Sequence, residues 1–378
     1  MRAAKEFQDR QRETKTRSSV RGVRLPTASR SANGAVSGNA NSAKSFANFR
    51  RSLLKWYDEH RRDLPWRQTR DPYRIWLSEI MLQQTRVAAV LEHYRIFLER
   101  FPDVYALAAA SEDSVLAAWS GLGYYRRARM LHQCAKEIVE RHGGSFPQSS
   151  EVLRQLPGIG RYTAAAIASI AFSEPVAVVD GNVERVLRRL SGTELTKEQD
   201  WQQAQAMLAP SRPGDFNQAM MELGATVCVP REPRCLLCPV RKCCVTQGDL
   251  PREAPASPQK KRQIWCALQC SGVDGGTNAK VRLVQRSRKE SLMPGMWELP
   301  NSMEAPRATP YFAHWRTFRH SITVTDYTVH VLRGAPARDA TFPGDSVAAK
   351  ARWVAIDRIP HIPLTGLARK ILRAGGLI

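Results

Sequence analysis

The 378-residue chain contains no run of about 18 apolar residues, so no segment is long enough to span a bilayer as a helix. Its first residues are basic but are not followed by a contiguous apolar stretch, which argues against a secretory signal. Internal repeats are lacking, and with them a solenoid. Acidic residues are scarce: 35 Asp and Glu stand against 57 Lys and Arg, for a net charge of +22. That excess points to a polyanionic partner, though charge alone does not separate nucleic acid from an anionic membrane surface or from simple solubility. Cysteines are few outside one short stretch. Cys134, Cys266 and Cys270 stand apart and suit small apolar packing, whereas Cys228, Cys235, Cys238, Cys243 and Cys244 crowd together. In a chain with no secretory signal, such crowding reads as metal binding before disulfides and favours a reducing, cytoplasmic setting.

Composition divides the chain. Residues 1–45 carry ten basic residues against Glu6, Asp9 and Glu13, a charge of +7 that leaves +15 for the remainder. With little apolar surface to offset ordering entropy, this arm is expected to be disordered. Two roles stay open for it, non-specific DNA affinity or none. From 46 to 248 apolar residues recur at helical spacing, as in Val87, Val90, Leu91, Tyr94 and Leu98, which predicts an all-α domain. Residues 249–262 are Pro-rich and charged, as linkers are. Beyond them the period becomes two: strands are expected at 264–270, 280–285, 322–332 and 351–356, with a closing helix at 364–372. The second domain, 263–378, is therefore read as a smaller α/β unit.

The crowded cysteines follow a helix expected at 216–226. Cys228, Cys235, Cys238 and Cys244 are separated by six, two and five residues, with Cys243 spare. Structural zinc sites usually split their ligands into two pairs joined by a spacer of about 12–20 residues. Four thiolates on one loop suit a [4Fe–4S] cube better. Arg231, Arg234, Arg241 and Lys242 decorate the same loop, either to touch phosphate or as a solvated charged face.

Leu156-Pro157-Gly158-Ile159-Gly160 ends one helix and opens another at 161–172. Gly158 and Gly160 permit a tight backbone that presents N–H groups beside a helix N-terminus, a natural phosphate site. With the basic charge and the cysteine loop downstream, helix-hairpin-helix DNA binding is a better account than a plain glycine turn. Asp180, in Val178-Val179-Asp180-Gly181-Asn182-Val183, precedes a basic helix. It fits an N-cap and equally a functional carboxylate whose ionised form the helix dipole favours. Glu79 is more unusual, because Ile75, Trp76 and Leu82 lie three and four residues away on its helix. Apolar neighbours favour the neutral acid, ready to donate a proton. An acid and a second carboxylate suit cleavage of an N-glycosidic bond: one protonates the leaving base, the other offsets the oxocarbenium charge. The base must first leave the stack.

These segments, with Ser78-Glu79-Ile80-Met81-Leu82-Gln83-Gln84-Thr85, Leu64-Pro65-Trp66-Arg67 and Gly121-Leu122-Gly123-Tyr124-Tyr125, resemble the MutY-type adenine DNA glycosylases of the helix-hairpin-helix endonuclease III superfamily. The resemblance spans about residues 46–378. It implies a monomeric base-excision enzyme acting on double-stranded DNA, where it removes adenine opposite 8-oxoguanine or guanine, and carrying one [4Fe–4S] cluster. By the resemblance, Glu79 protonates adenine, Asp180 stabilises the cation, and Asn182 orders that site. Gln84, Thr85 and Tyr125 meet the duplex near the oxidised guanine, while Trp66 and Arg67 line the adenine pocket. Bifunctional relatives carry a catalytic Lys where this chain has Tyr162, so a monofunctional glycosylase is expected, with Tyr162 against Asp180. Met293-Pro294-Gly295-Met296-Trp297-Glu298-Leu299-Pro300 resembles the family's Nudix-like domain. The acidic metal-binding box that would follow it is missing, so lesion recognition is implied rather than nucleotide hydrolysis. The recognition loop, commonly Phe-Ser-His, is here Phe318-Arg319-His320.

Overall fold

The computed structural model describes residues 40–250, 259–272, 279–306, 311–334, 342 and 350–378. Most of the basic arm, and residues 251–258 of the expected linker, lie outside the described residues. The helices are α1 (Ala40–His60), α2 (Pro72–Leu82), α3 (Val87–Arg100), α4 (Val104–Ala109), α5 (Glu112–Trp119), α6 (Arg126–His142), α7 (Ser150–Leu153), α8 (Arg161–Ala171), α9 (Gly181–Ser191), α10 (Lys197–Met207) and α11 (Pro213–Thr226). After these come β1 (Lys260–Ser271), β2 (Lys280–Gln285), β3 (Trp297–Glu298), β4 (Asn301–Ser302), β5 (Phe312–Ile322), β6 (Thr325–Gly334), β7 (Lys350–Ala355) and α12 (Gly366–Ala374). Helix α1 begins at Ala40, inside the segment read as a disordered arm, and β1 begins at Lys260, inside the segment read as linker. Among the described residues, no helix is long and apolar enough to cross a membrane.

Helix boundaries follow local chemistry. Asp71 caps α2 by accepting from the Tyr73 N–H, and Pro72 occupies the first turn, where no N–H is needed. Thr196 and Gln199 form a reciprocal capping box on α10. The chain divides into two compact units: residues up to Arg62 with Pro175–Arg252, and Asp63–Glu174 with Glu253–Ile378. In the first, Phe49, Leu53 and Tyr57 of α1 pack with Val183 and Leu187 of α9 and with Phe216 and Met220 of α11. Burying such side chains contributes roughly 1.5–3 kcal/mol each.

The second unit holds α2–α8 and the sheet. Strand order is β3-β2-β1-β6-β5, with β4 paired to β1 and β7 to β2. The β1–β6 pair is parallel and the others antiparallel. One face packs Cys266, Leu268, Val329 and Val331 against Ala368, Ile371 and Leu372 of α12. Two expectations need correction. The strand read across 322–332 is present from Thr325 as β6, but its first residues form a hairpin corner with Thr323 at φ 52°. The Phe318-Arg319-His320 segment is not a loop but lies inside β5, hydrogen-bonded along β6.

Candidate functional site

In the second unit, α2 presents Glu79 at 6% exposure, among the buried Ile75, Trp76 and Ile80. Of the apolar neighbours that marked Glu79 in the sequence, Ile75 and Trp76 are buried with it. Helix α8 packs beside α2, and from it Tyr162 donates its hydroxyl to Glu79 Oε2 at 2.5 Å. The resemblance pointed Tyr162 toward Asp180, and Glu79 is a partner it did not supply. One residue along, Thr163 accepts from Gln83 Nε2 at 3.4 Å. Trp66 is buried edge-to-face on Tyr94, with ring centroids 5.3 Å apart, and Arg67 beside it is half-buried.

The hairpin before α8 is braced from both sides. Glu174 accepts from the Ser150 N–H and hydroxyl at 2.6 and 2.9 Å, fixing α7. Gly158 adopts φ +74°, and a Cβ there would meet Met130 Cβ at 2.6 Å. Gly160, the N-cap of α8, has φ −85° and open space where its Cβ would be. The first glycine is thus required by backbone and packing, whereas the second leaves room for something outside the protein.

A cleft of about 910 Å³ runs past Gly158, Gln83, Gln84, Tyr124, Met293 and His320. Gln84 is exposed and held at φ +56°, a conformation that non-glycine residues seldom adopt. Thr85, half-buried beside it, donates to Gln83 O. Tyr125, expected to wedge into DNA, is instead 4% exposed, and its hydroxyl donates to Leu364 O at 2.9 Å. Tyr124 is the outward ring, 51% exposed at φ +48°. Two adjacent tyrosines look alike in sequence, and only the left-handed turn decides which one faces out. On β5, His320 faces the cleft, with its pKa pushed down by burial and by Lys370. Phe318 packs into the sheet core with the Lys370 ammonium 5.7 Å from its ring. Arg319 is exposed and paired across the sheet with Thr328. Glu298, in the Met-Pro-Gly segment, accepts from Arg286 Nη1 at both carboxylate oxygens, at 2.9 and 3.0 Å.

In the first unit, Asp180 caps α9, accepting from the Asn182 and Val183 N–H groups at 3.0 and 2.8 Å and from Asn182 Nδ2 at 2.9 Å. Burial nevertheless raises its pKa, against the lowering effect of these bonds and of Arg185. The helix dipole acts with these bonds toward the ionised form, and burial opposes them. Arg185, not singled out in the sequence, donates to Asn182 Oδ1 at 2.9 Å and to Cys228 O at 2.8 Å. It ties the Asp180 turn to the cysteine loop.

Cys228, Cys238 and Cys244 are half-buried against the core of this unit. The Cys238 thiol is pushed up to about 12, first by burial and further by Cys228, Cys244 and Cys235. Among the described residues, no group of three or more His, Cys, Asp or Glu side chains is set as ligands of a metal ion. The fit of a cluster therefore rests on the donor set. All four donors are thiols on one loop, and beneath them Arg189, 2% exposed, donates to Cys228 Sγ at 3.3 Å and to Val229 O at 2.7 Å. The same guanidinium pairs with Asp249 at 3.4 Å, so its charge is shared between a carboxylate and the Cys228 sulfur, and its contact with the sulfur favours the thiolate form. The residues fit an anionic thiolate-bound cluster.

Sequence comparison agrees with this architecture. The HhH-GPD superfamily of base excision DNA repair proteins matches residues 77–210, which defines the class. An adenine DNA glycosylase of Rattus norvegicus is 35% identical over 86% of this chain and 77% of its own length. One of Homo sapiens is 40% identical over 67% of this chain and 57% of its own length. Among solved structures, a thermostable thymine-DNA glycosylase superposes with a TM-score of 0.52 at 30% identity, covering 55% of this chain and 98% of its own. The chain belongs to the adenine DNA glycosylase family.

Proposed function

We propose that the protein hydrolyses the N-glycosidic bond of adenine mispaired with 8-oxoguanine or guanine in double-stranded DNA and leaves the strand intact. The observation that carries this is a buried carboxyl, Glu79, held by the phenol of Tyr162 where strand-cleaving relatives need a lysine amine. Glu79 gives its proton to the adenine ring as the C1′–N9 bond breaks, and Asp180 offsets the positive charge left on the sugar. Water adds to C1′, and the ionised Glu79 takes up the water's proton, so the charges balance. A phenol cannot form a Schiff base with C1′, so no lyase step follows.

The Gly158–Gly160 hairpin and the basic cysteine loop supply phosphate contacts. Gln84, Thr85 and Tyr124 open the duplex, with Trp66 and Arg67 near the extruded adenine. Cys228, Cys235, Cys238 and Cys244 would hold the [4Fe–4S] cluster, which fixes the loop in shape. The Nudix-like module, 263–378, reads the opposite strand through His320, with Phe318 supporting the strand that carries it. The test is single-turnover excision on duplexes with one adenine opposite 8-oxoguanine, scored before and after alkali. Glu79→Gln should excise about 100- to 10,000-fold more slowly while still binding the mispair. Wild-type strand breaks without alkali would refute the monofunctional reading, and normal excision by the variant would remove Glu79 from the chemistry.

A further inference from the structure

Arg127, in the first turn of α6, places one guanidinium between two loops. Nη1 donates to Ile80 O, Met81 O and Gln83 O at 2.7, 3.0 and 2.6 Å. These carbonyls lie at the C-terminal end of α2, where the chain turns at Gln84 and the helix leaves its last acceptors unpaired. A cation there also meets the negative end of the helix dipole. Nη2 donates to Thr85 Oγ1 at 3.2 Å and to Leu122 O and Gly123 O at 3.3 Å. The rings of Trp119 and Tyr124 lie 5.4 and 5.5 Å from the same guanidinium. Glu79 immediately precedes the first of these carbonyls. Burial pushes the Arg127 pKa down to about 10, which leaves it charged at neutral pH.

The Gly121–Gly123 turn held by Arg127 is fastened on its far side to the sheet module. Ser120 Oγ and Tyr125 OH both donate to Leu364 O at 2.9 Å, and Arg369 of α12 donates back to Ser120 O. His320 comes within 3.9 Å of where a Cβ on Gly366, the first residue of α12, would sit. The links from Leu364 through Ser120 and Tyr125 to Arg127 are hydrogen bonds of 2.9 to 3.3 Å, and Lys370 of α12 donates to Arg319 O at 2.7 Å, next to His320. A displacement at His320 or α12 therefore reaches the end of α2 through one side chain.

We propose that Arg127 is a positioning residue that transmits recognition of the opposite-strand base by the sheet module to the helix carrying Glu79. The inference rests on the function proposed above. Arginine is required because a planar fork of donors spans acceptors on both loops; a lysine ammonium keeps the charge but has three donors and no fork.

The experiment measures single-turnover excision of adenine opposite 8-oxoguanine and opposite guanine in wild type, Arg127→Lys, His320→Ala and the double variant, with product-DNA affinity and melting temperature recorded for each. Arg127→Lys should reduce the ratio of the two rates about tenfold, with product affinity kept. His320→Ala should reduce the ratio in wild type yet change it little when Arg127 is already Lys, because coupled residues are not additive. Should Arg127→Lys fail to fold, Ser120→Ala loosens the same turn from its far side and should lower the ratio by a smaller factor. Equal slowing of both substrates by Arg127→Lys, or independent effects of the two substitutions on the ratio, would overturn the inference. For the Ser120 variant an unchanged ratio would do so. A wild-type ratio near one would instead sink the lesion-reading function itself.

Discussion

Replacing each hairpin glycine by alanine separates folding from DNA contact. At Gly158 the added Cβ meets Met130 Cβ at 2.6 Å, with Met130 Cα at 3.7 Å. Neither atom is the free end of a flexible side chain, so backbone must move. The left-handed φ of +74° adds about 1–2 kcal/mol for an L-residue, and overpacking adds about 1–3 kcal/mol. Gly158→Ala should therefore lose roughly 2–5 kcal/mol in urea unfolding, or relieve the clash by shifting the hairpin and so weaken DNA binding. Gly160→Ala has ordinary φ and open space, so it should be within about 0.5 kcal/mol of wild type. Any loss of DNA affinity in Gly160→Ala then reports the close approach of a phosphate. A Gly158→Ala protein as stable as wild type, with normal DNA affinity, would refute the steric argument.

Three further predictions concern titration and metal. Because burial raises the Asp180 pKa and the proposed mechanism uses its ionised form against the sugar cation, excision should fall as pH drops through that raised value. The acid limb of the single-turnover profile should thus lie above the ordinary carboxylate range, and Asp180→Asn should abolish it with the activity. Asp200, 1% exposed on α10, has a pKa raised to about 6, first by burial and then by Glu184, partly countered by Arg188. The folded state prefers its protonated form, so this contribution to stability is complete below the unfolded pKa of about 3.9 and lost as pH rises through about 6. Asp200→Asn should consequently melt a few degrees higher than wild type at pH 8 and no higher at pH 4. Anaerobically purified protein should carry about four irons per chain, and Cys235→Ser should lose them; zinc without iron would exclude the cluster.

How far the sequence could be read depended on what each signal encodes. The burial of Glu79 was legible because helical spacing puts Ile75 and Trp76 on its side of the helix, and α2 is buried over most of its length. Asp180 was legible as a cap but the shift in its ionisation was not, since desolvation depends on neighbours distant in sequence. Strand β5 was missed. Its alternation breaks at a register shift between His314 and Arg316, which spoils the period-two pattern across Trp315. Choosing between Tyr124 and Tyr125 required the backbone angle. Arg127 and Arg189 carried no local signal at all: a buried guanidinium is recognised by the carbonyls it gathers, and those come from elsewhere in the chain.

The fastening of Leu364 to Ser120 and Tyr125 bears on how the sheet module can be studied. Helix α5 also rests against residues 356–361, so the module is seated on helices of the same compact unit. Cutting the chain near residue 260 would strip the Tyr125 hydroxyl of its acceptor and uncover the apolar side of α5. The turn that carries Tyr124 would then relax, whether or not any lesion is present. A truncated enzyme would lose selectivity and speed together, for mechanical reasons as much as for missing contacts. The proposed selectivity is better dissected by single side chains at the cleft than by amputation.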